Sequence, residues 1–269
     1  MIAATETERT ISINKWFEYS RNIEDIVEVQ ALSSLRMFYT EDAGYALARR
    51  VDQELHLLGA GLNAGVIGVA ATNYATAVIG GNGTSLYDPV TAPGTALTDV
   101  GIRTIIQRLD DQDLPLTGRL LVVPPVEKKN LTGIARFTEQ AFVGEGGAMN
   151  TVRNGLVGDV YGHMVYVTSL CPWLHTDAGV DETYVTFSST NPTGTDELGT
   201  TVAIATPSTQ FRAGMIIHKS ALGFVEQSAV RSQAQYKQEY LSWLYTADTI
   251  FGVGELRDQG GVAFVVPAI

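Results

Sequence analysis

Charge and sulfur are what this chain has least of. Of its 269 residues only 17% are Asp, Glu, Lys or Arg, and a single cysteine, Cys171, is present. One thiol excludes an intrachain disulfide framework and any multi-cysteine zinc site. Positive charge is scarcer still: 18 Lys and Arg stand against 29 Asp and Glu, for a formal net charge of −11. No basic run exists, and Glu127-Lys128-Lys129 is the densest cationic spot. Such a chain is poorly suited to phosphate-backbone binding, which needs clustered Lys and Arg. Long apolar runs are missing too. Residues 57–98 carry one charge, Asp88, but Asn63, Asn73, Gly80, Gly81 and Pro89 interrupt them. No run approaches the ~20 residues of a membrane span, so no membrane partner is expected. The first nine residues are polar and acidic without an apolar segment, so no signal peptide is expected.

Signatures of chemistry are equally sparse. There is no phosphate-cradling loop ending in Lys-Ser or Lys-Thr, and no Gly-x-Ser-x-Gly elbow. Gly59-Ala60-Gly61 with Gly65 has the wrong spacing for a dinucleotide fingerprint and follows a helical pattern rather than a strand. Cys171 and His175 are four apart, but Pro172 and Trp173 between them read as an irregular loop and the thiol as structural. His56, His163, His175 and His218 form no metal-type pair. The Asp110-Asp111-Gln112-Asp113 cluster lacks the spacing and turn glycine of a calcium loop. No catalytic, cofactor-binding or metal-ligating residue is assigned, and no cofactor is expected.

What is present is a core. The hydrophobic share is 45%, enough to offset chain-ordering entropy and exclude disorder. Residues 9–21 partly alternate, with Ile11, Ile13 and Phe17 among polar neighbours, and read as an extended strand arm. Residues 25–58 contain no proline and one glycine, Gly44; Ala43, Leu47, Val51, Leu55 and Leu58 recur at helical spacing. Read as one helix it would be about 50 Å long, shortened by any bend near Ser33-Ser34 or Gly44, and it stops at Gly59-Ala60-Gly61. A strand is expected over 74–79. A second helix follows, with Leu97, Val100, Ile105 and Leu109 on one face and Thr95 or Thr98 as cap. Residues 119–123 read as a buried strand and 126–140 as a helix behind Pro125. Strands are expected over 159–168, 184–187, 200–205 and 261–266, and a strand end turning into a helix over 215–227. The class is α+β.

Several segments, in order, resemble one family. Met215-Ile-Ile-His218-Lys219-Ser220-Ala221 is similar to a "hydrophobic–His–Lys–x–Ala" segment of tailed-phage major capsid proteins. Gln235-Tyr236-Lys237, Tyr240, Asp248-Thr-Ile-Phe-Gly252 and the apolar finish Val262 to Val266 follow it. Upstream, Leu120-Leu-Val-Val-Pro124-Pro125 resembles the family's strand–proline–helix passage. Asn154-Gly-Leu-Val-Gly158 with Asp159 to Tyr166 resembles its glycine-punctuated strand. Ile23-Glu-Asp-Ile-Val-Glu-Val-Gln30, Tyr45-Ala-Leu-Ala48 and Val51-Asp52 look like the entry to its long spine helix. The matches span roughly residues 11–266.

The resemblance implies the Hong Kong 97-like capsid fold, with peripheral domain, axial domain, long spine helix and extended loop. It divides the chain into a remnant of N-terminal arm and extended loop (1–24) and a peripheral domain with the spine helix (25–60). A mainly axial domain with some peripheral strands (61–225) and a peripheral return (226–269) complete it. Few residues precede residue 9, so a truncated or processed arm, or another contact in its place, is expected. The implied role is a major capsid protein forming hexamers and pentamers of an icosahedral virion shell around double-stranded DNA. Portal, scaffold or decoration proteins would be further partners, and DNA would be held non-specifically. Trp16, Phe17, Tyr19 and Arg21 on the strand arm are the candidate inter-subunit contacts. Two other readings stay open: a nanocompartment shell of the same fold enclosing a cargo enzyme, and an α+β enzyme without recognisable motif.

Overall fold

The computed structural model describes residues 10–30, 35–62, 79–83, 95–134, 159–176, 185–188 and 211–267. The chain folds as two compact units, Met1–Leu55 with Gly223–Gly254, and His56–Leu222 with Glu255–Ile269.

The first unit begins with β1 (Lys15–Glu24), followed by α1 (Asp25–Gln30). Helix α2 (Leu35–Ala60) starts here and continues into the second unit. Two long strands return late in the chain, β9 (Leu222–Lys237) and β10 (Ser242–Glu255), and the sheet order is β1-β10-β9. β1 pairs antiparallel with β10 along its whole length, from Lys15 opposite Phe251 to Glu24 opposite Ser242. The helical spacing of Ala43 and Leu47 places both against Ala247, with Phe17, Tyr19 and Tyr245 half-buried around them. The expected 25–58 helix is thus described as two helices, with residues 31–34 outside the described ones. Gly44 does not end α2, because one glycine costs a helix only about 1 kcal/mol.

Among the described residues the second unit holds an eight-stranded mixed sheet. Its main path joins β2 (Ile79–Gly80), β11 (Gly261–Pro267), β8 (Phe211–His218), β3 (Arg119–Val123), β5 (His163–Val167) and β4 (Asp159–Val160). β6 (Trp173–Thr176) and β7 (Val185–Ser188) attach through β8. β3–β5 and β2–β11 are parallel, the other pairs antiparallel. Both faces of the sheet are buried. Leu121, Val123, Ile216, Val262, Phe264 and Val266 face α3 (Asp99–Asp110) and α4 (Pro125–Gly133). Val122, Ala213, Met215 and Val265 face Ala60, Cys171 and Phe211. Burial on both sides is why residues 261–266 read as an unbroken apolar run rather than an alternation.

Several expectations are corrected. α3 buries Ile102, Ile105 and Leu109, at i, i+3, i+7, while Val100 is exposed on the other side. Its cap is Thr98, which accepts from the Gly101 N–H at 3.1 Å; the Thr95 hydroxyl instead accepts from the Asn82 N–H. The helix expected over 126–140 ends at Gly133, and residues beyond 134 lie outside the described ones. The single strand expected over 159–168 is a hairpin, β4–β5, turning at Tyr161 (φ 51°) and Gly162 (φ 77°). Two consecutive left-handed residues make a type I′ turn, the one that suits strand twist. The strand-to-helix passage over 215–227 is strand, turn, strand: pairing across β8 and within the β1-β10-β9 sheet overrides helical propensity. Of the strand expected over 74–79 only Ile79 is described, and the 200–205 strand lies outside the described residues.

Candidate functional site

The alternation of β1 sorts the four arm residues. Phe17 and Tyr19 turn toward α2, Trp16 away from it. The Phe17 ring lies 5.7 Å from that of Phe251, with the Arg50 guanidinium 4.7 Å above it. The Tyr19 hydroxyl donates to Asp42 Oδ2 at 2.6 Å and accepts from Arg21 Nε at 3.4 Å. Burial and the neighbouring Asp42 carboxylate push the Tyr19 phenol above its usual range. Lys15 Nζ pairs with Glu54 at 3.0 Å. So Phe17 and Tyr19 are built into the chain's own sheet–helix layer, and Arg21 sits exposed at its rim.

Trp16 is 68% exposed on the opposite face of the same sheet. Arg231 grips Asp248 there with two bonds, Nε to Oδ1 at 2.7 Å and Nη2 to Oδ2 at 2.8 Å. These bonds, with a further one from the Trp16 side chain, hold the Asp248 carboxyl below its usual range. The sheet's outer face therefore carries a flat indole beside a neutralised ion pair, the mixture of aromatic and arginine enriched at protein interfaces.

The His218 segment has a structural role visible atom by atom. His218 Nε2 lies 3.1 Å from the Thr117 carbonyl, which can only accept, so Nε2 carries the proton. Nδ1 then accepts from the Ser220 hydroxyl at 2.7 Å and the Ser220 N–H at 3.3 Å. The Lys219 N–H donates to the Gly118 carbonyl, and Ala221 is fully buried against Gly260. The Ala221 carbonyl accepts from the N–H groups of Leu256 and Arg257 at 2.8 and 3.2 Å. The "His–Lys–x–Ala" pattern is a turn that ties the β8 exit to two other loops.

Cys171 is buried, and burial pushes its thiol up to about 12 despite the opposing effect of Arg212. It is held as a thiol, not a nucleophilic thiolate. Among the described residues no three His, Cys, Asp or Glu side chains converge to hold a metal, and no helix is long and apolar enough to cross a membrane. Sequence reasoning gives no role to Ile26, Val27, Met37, Phe38, Tyr240 and Leu241, all substantially exposed in the first unit. A signal for two of them is present: Met37 and Phe38 lie outside the Ala43–Leu47 register that α2 buries.

No family model matches the chain, and no curated protein matches it. Solved structures do. One from Mycobacterium phage Che8 is 18% identical with a TM-score of 0.60, covering 97% of this chain and 76% of that one. The capsid of Ralstonia phage GP4 is 13% identical with a TM-score of 0.63, covering 96% and 74%. The acidic stable capsid of Helicobacter pylori bacteriophage KHP30 is 13% identical with a TM-score of 0.62, covering 97% and 76%. The chain shares an α+β fold with these phage structures, two of which are capsids.

Proposed function

We propose that a chain with this fold is the major capsid protein of a tailed bacteriophage, a structural subunit of the virion rather than an enzyme. It assembles as hexamers and pentamers into an icosahedral shell around double-stranded DNA. The observation that carries the reading is coverage: the likeness to phage and capsid structures runs over 94–99% of the chain in every one of eight neighbours. In this reading the first unit belongs to the peripheral domain with α2 as its spine and residues 61–225 are mainly axial, while residues 255–267 of the expected peripheral return pack within the second unit. Trp16, exposed beside the Arg231–Asp248 pair, serves as an inter-subunit contact, and Arg21 as a rim contact. A net charge of −11 limits adhesion to the enclosed DNA, whose contact with the shell is non-specific. Portal, scaffold or decoration proteins are further partners.

Electron microscopy of particles purified from infected cells tests this directly. Closed shells containing DNA are expected. DNA-free shells enclosing an enzyme would replace the reading by the nanocompartment one. A monomer in sedimentation at micromolar concentration would end both.

A further inference from the structure

The turn that follows β2 is clamped through its backbone. The Gly81 N–H donates to the carbonyls of Thr95 and Val265 at 3.1 and 3.3 Å, and the Gly81 carbonyl accepts from the Thr98 N–H at 3.1 Å. The Asn82 N–H donates to the Thr95 hydroxyl at 2.9 Å. The Gly83 N–H closes the turn on the Gly80 carbonyl at 2.9 Å. Packing is as close as the bonding. A Cβ built on Gly101 of α3 overlaps the Gly81 carbonyl, and one built on Gly83 would lie 2.7 Å from the Gly101 Cα. Gly83 also has a φ of 71°, in the left-handed region that glycine adopts freely. Residues 80–83 are thus tied to β11 on one side and to the start of α3 on the other.

The pair held this way, Asn82–Gly83, is the dipeptide most prone to spontaneous deamidation. That reaction needs no enzyme and no cofactor. The Gly83 backbone nitrogen attacks the Asn82 side-chain carbonyl carbon and a ring N–C bond forms. The bond to the side-chain nitrogen breaks, and ammonia leaves with the proton that the backbone nitrogen gives up. Water then opens the succinimide at either carbonyl. One product is aspartate; the other is isoaspartate, whose main chain runs through the side chain and is one methylene longer. Glycine speeds the attack because no Cβ hinders the nitrogen. In the folded turn two conditions of attack fail. The Gly83 nitrogen must release a proton already shared with the Gly80 carbonyl, and its peptide plane must swing while the neighbouring groups are bonded to Thr95, Val265 and Thr98.

We propose that Asn82–Gly83 is a latent modification site gated by the fold: silent while the turn is clamped, it converts in subunits whose second unit opens. The isoaspartate product cannot return. It lengthens the main chain between residues 82 and 83, where Gly83 is wedged against Gly101 and Thr104. A subunit that stays open is thereby withdrawn from the folded pool, whether or not the chain builds a shell. Aspartate keeps the main-chain length and is compatible with refolding.

Peptide mapping of the full chain at pH 8, by mass spectrometry that separates isoaspartate from aspartate, tests this. In denaturant Asn82 and Asn154, the two residues of the chain that precede glycine as asparagine, should convert at similar rates, which sets the intrinsic speed. In the folded protein Asn82 should convert at least about tenfold more slowly than in denaturant, because reaction waits on opening of the turn. Thr95→Val removes the hydroxyl that holds the Asn82 N–H. It should speed conversion at Asn82 in the folded chain and leave the rate in denaturant unchanged. Should that variant fail to fold, the native chain in rising, sub-denaturing urea carries the same expectation, with the Asn82 rate climbing alongside the opened population. Folded protein that converts at the denatured rate would overturn the gate. Chains modified in denaturant and returned to buffer supply the second arm. Those carrying isoaspartate at position 82 should not regain the cooperative melt, whereas the Asn82→Asp variant should show it. Isoaspartate chains that melt like native ones would overturn the withdrawal.

Discussion

At the scale of single residues, burial decides the chemistry. Cys171 is inert because its thiolate would sit in an apolar layer with Ala213 and Met215. The folded protein should therefore resist thiol alkylation at pH 8 and react fully only in denaturant, as mass spectrometry of the alkylated chain would record. Partial labelling of the native state would mean that this layer opens. Glu127 poses a sharper case. It is completely buried, and its carboxylate accepts from the Leu97 N–H at 2.9 Å and from Asn130 Nδ2 at 3.1 Å, with no cation among the groups that shift it. Desolvation pushes its pKa above the usual carboxylate range, and the two hydrogen bonds only partly counter it. A folded pKa above the unfolded one means the folded state holds the proton more tightly. Stability is then lost as pH rises from the ordinary value of 4.5 through the raised one. Glu127→Gln removes that titration while its carbonyl still accepts from Leu97, provided the Asn130 amide flips to accept. Denaturant melts at pH 5 and pH 8 should show the native protein losing more stability across the interval than the variant; equal losses would show that Glu127 ionises without cost.

At the scale of elements, glycine makes the same substitution act with opposite sign. Gly44 sits exposed within α2, and a Cβ built there meets nothing within 4 Å. Gly44→Ala should stabilise the subunit by about 0.5–1 kcal/mol through helix propensity. Gly101, in the first turn of α3, lies directly against the Gly81 carbonyl, and a Cβ there overlaps it. Gly101→Ala should cost about 1–3 kcal/mol by forcing backbone apart. Thermal melts of the two variants check both signs. The same dependence on close neighbours explains what is legible from the amino acids. α2 and β11 can be read because their partners are apolar and periodic or continuous: Ala43 and Leu47 on one side, Val262 to Val266 on both. β9 cannot, because Glu226 to Gln235 are almost all exposed polar or small residues whose strand state is set by β10, not by any pattern of their own. The β4–β5 turn hides inside an alternating run, although Gly162 in mid-strand is itself a turn signal. Val100 reads as a core residue because it is apolar, while its angle around α3 carries it away from Ile102 and Ile105. The arm expected over 9–21 is strand over Lys15–Glu24, and only the register against β10 decides that Phe17 and Tyr19 face inward and Trp16 outward.

At the scale of the whole molecule, the proposed shell assembly sets two opposed forces against each other: like charge over the surface and apolar contact between copies. Each copy brings −11, and repulsion between copies reaches across about 10 Å at 0.1 M salt but only about 3 Å at 1 M. If the decisive contact is apolar, salt removes the opposing force and leaves the favourable one untouched. The assembly threshold should then fall as NaCl rises from about 0.05 M to about 0.5 M, followed by light scattering on one protein stock. Sodium sulfate at equal ionic strength should lower it further, because sulfate is excluded from protein surface and strengthens apolar burial. Contacts made by opposite charges, with Arg21 or Arg231 reaching a neighbour's carboxylates, would give the reverse: a threshold that climbs with NaCl. Arg231 is poorly placed for that, since Asp248 already occupies it with two bonds. Releasing it would sacrifice a bidentate pair within the subunit to make one between subunits. The expected sign is therefore assembly promoted by salt, and a threshold rising with NaCl would show that charge pairs rather than apolar surface make the principal contact.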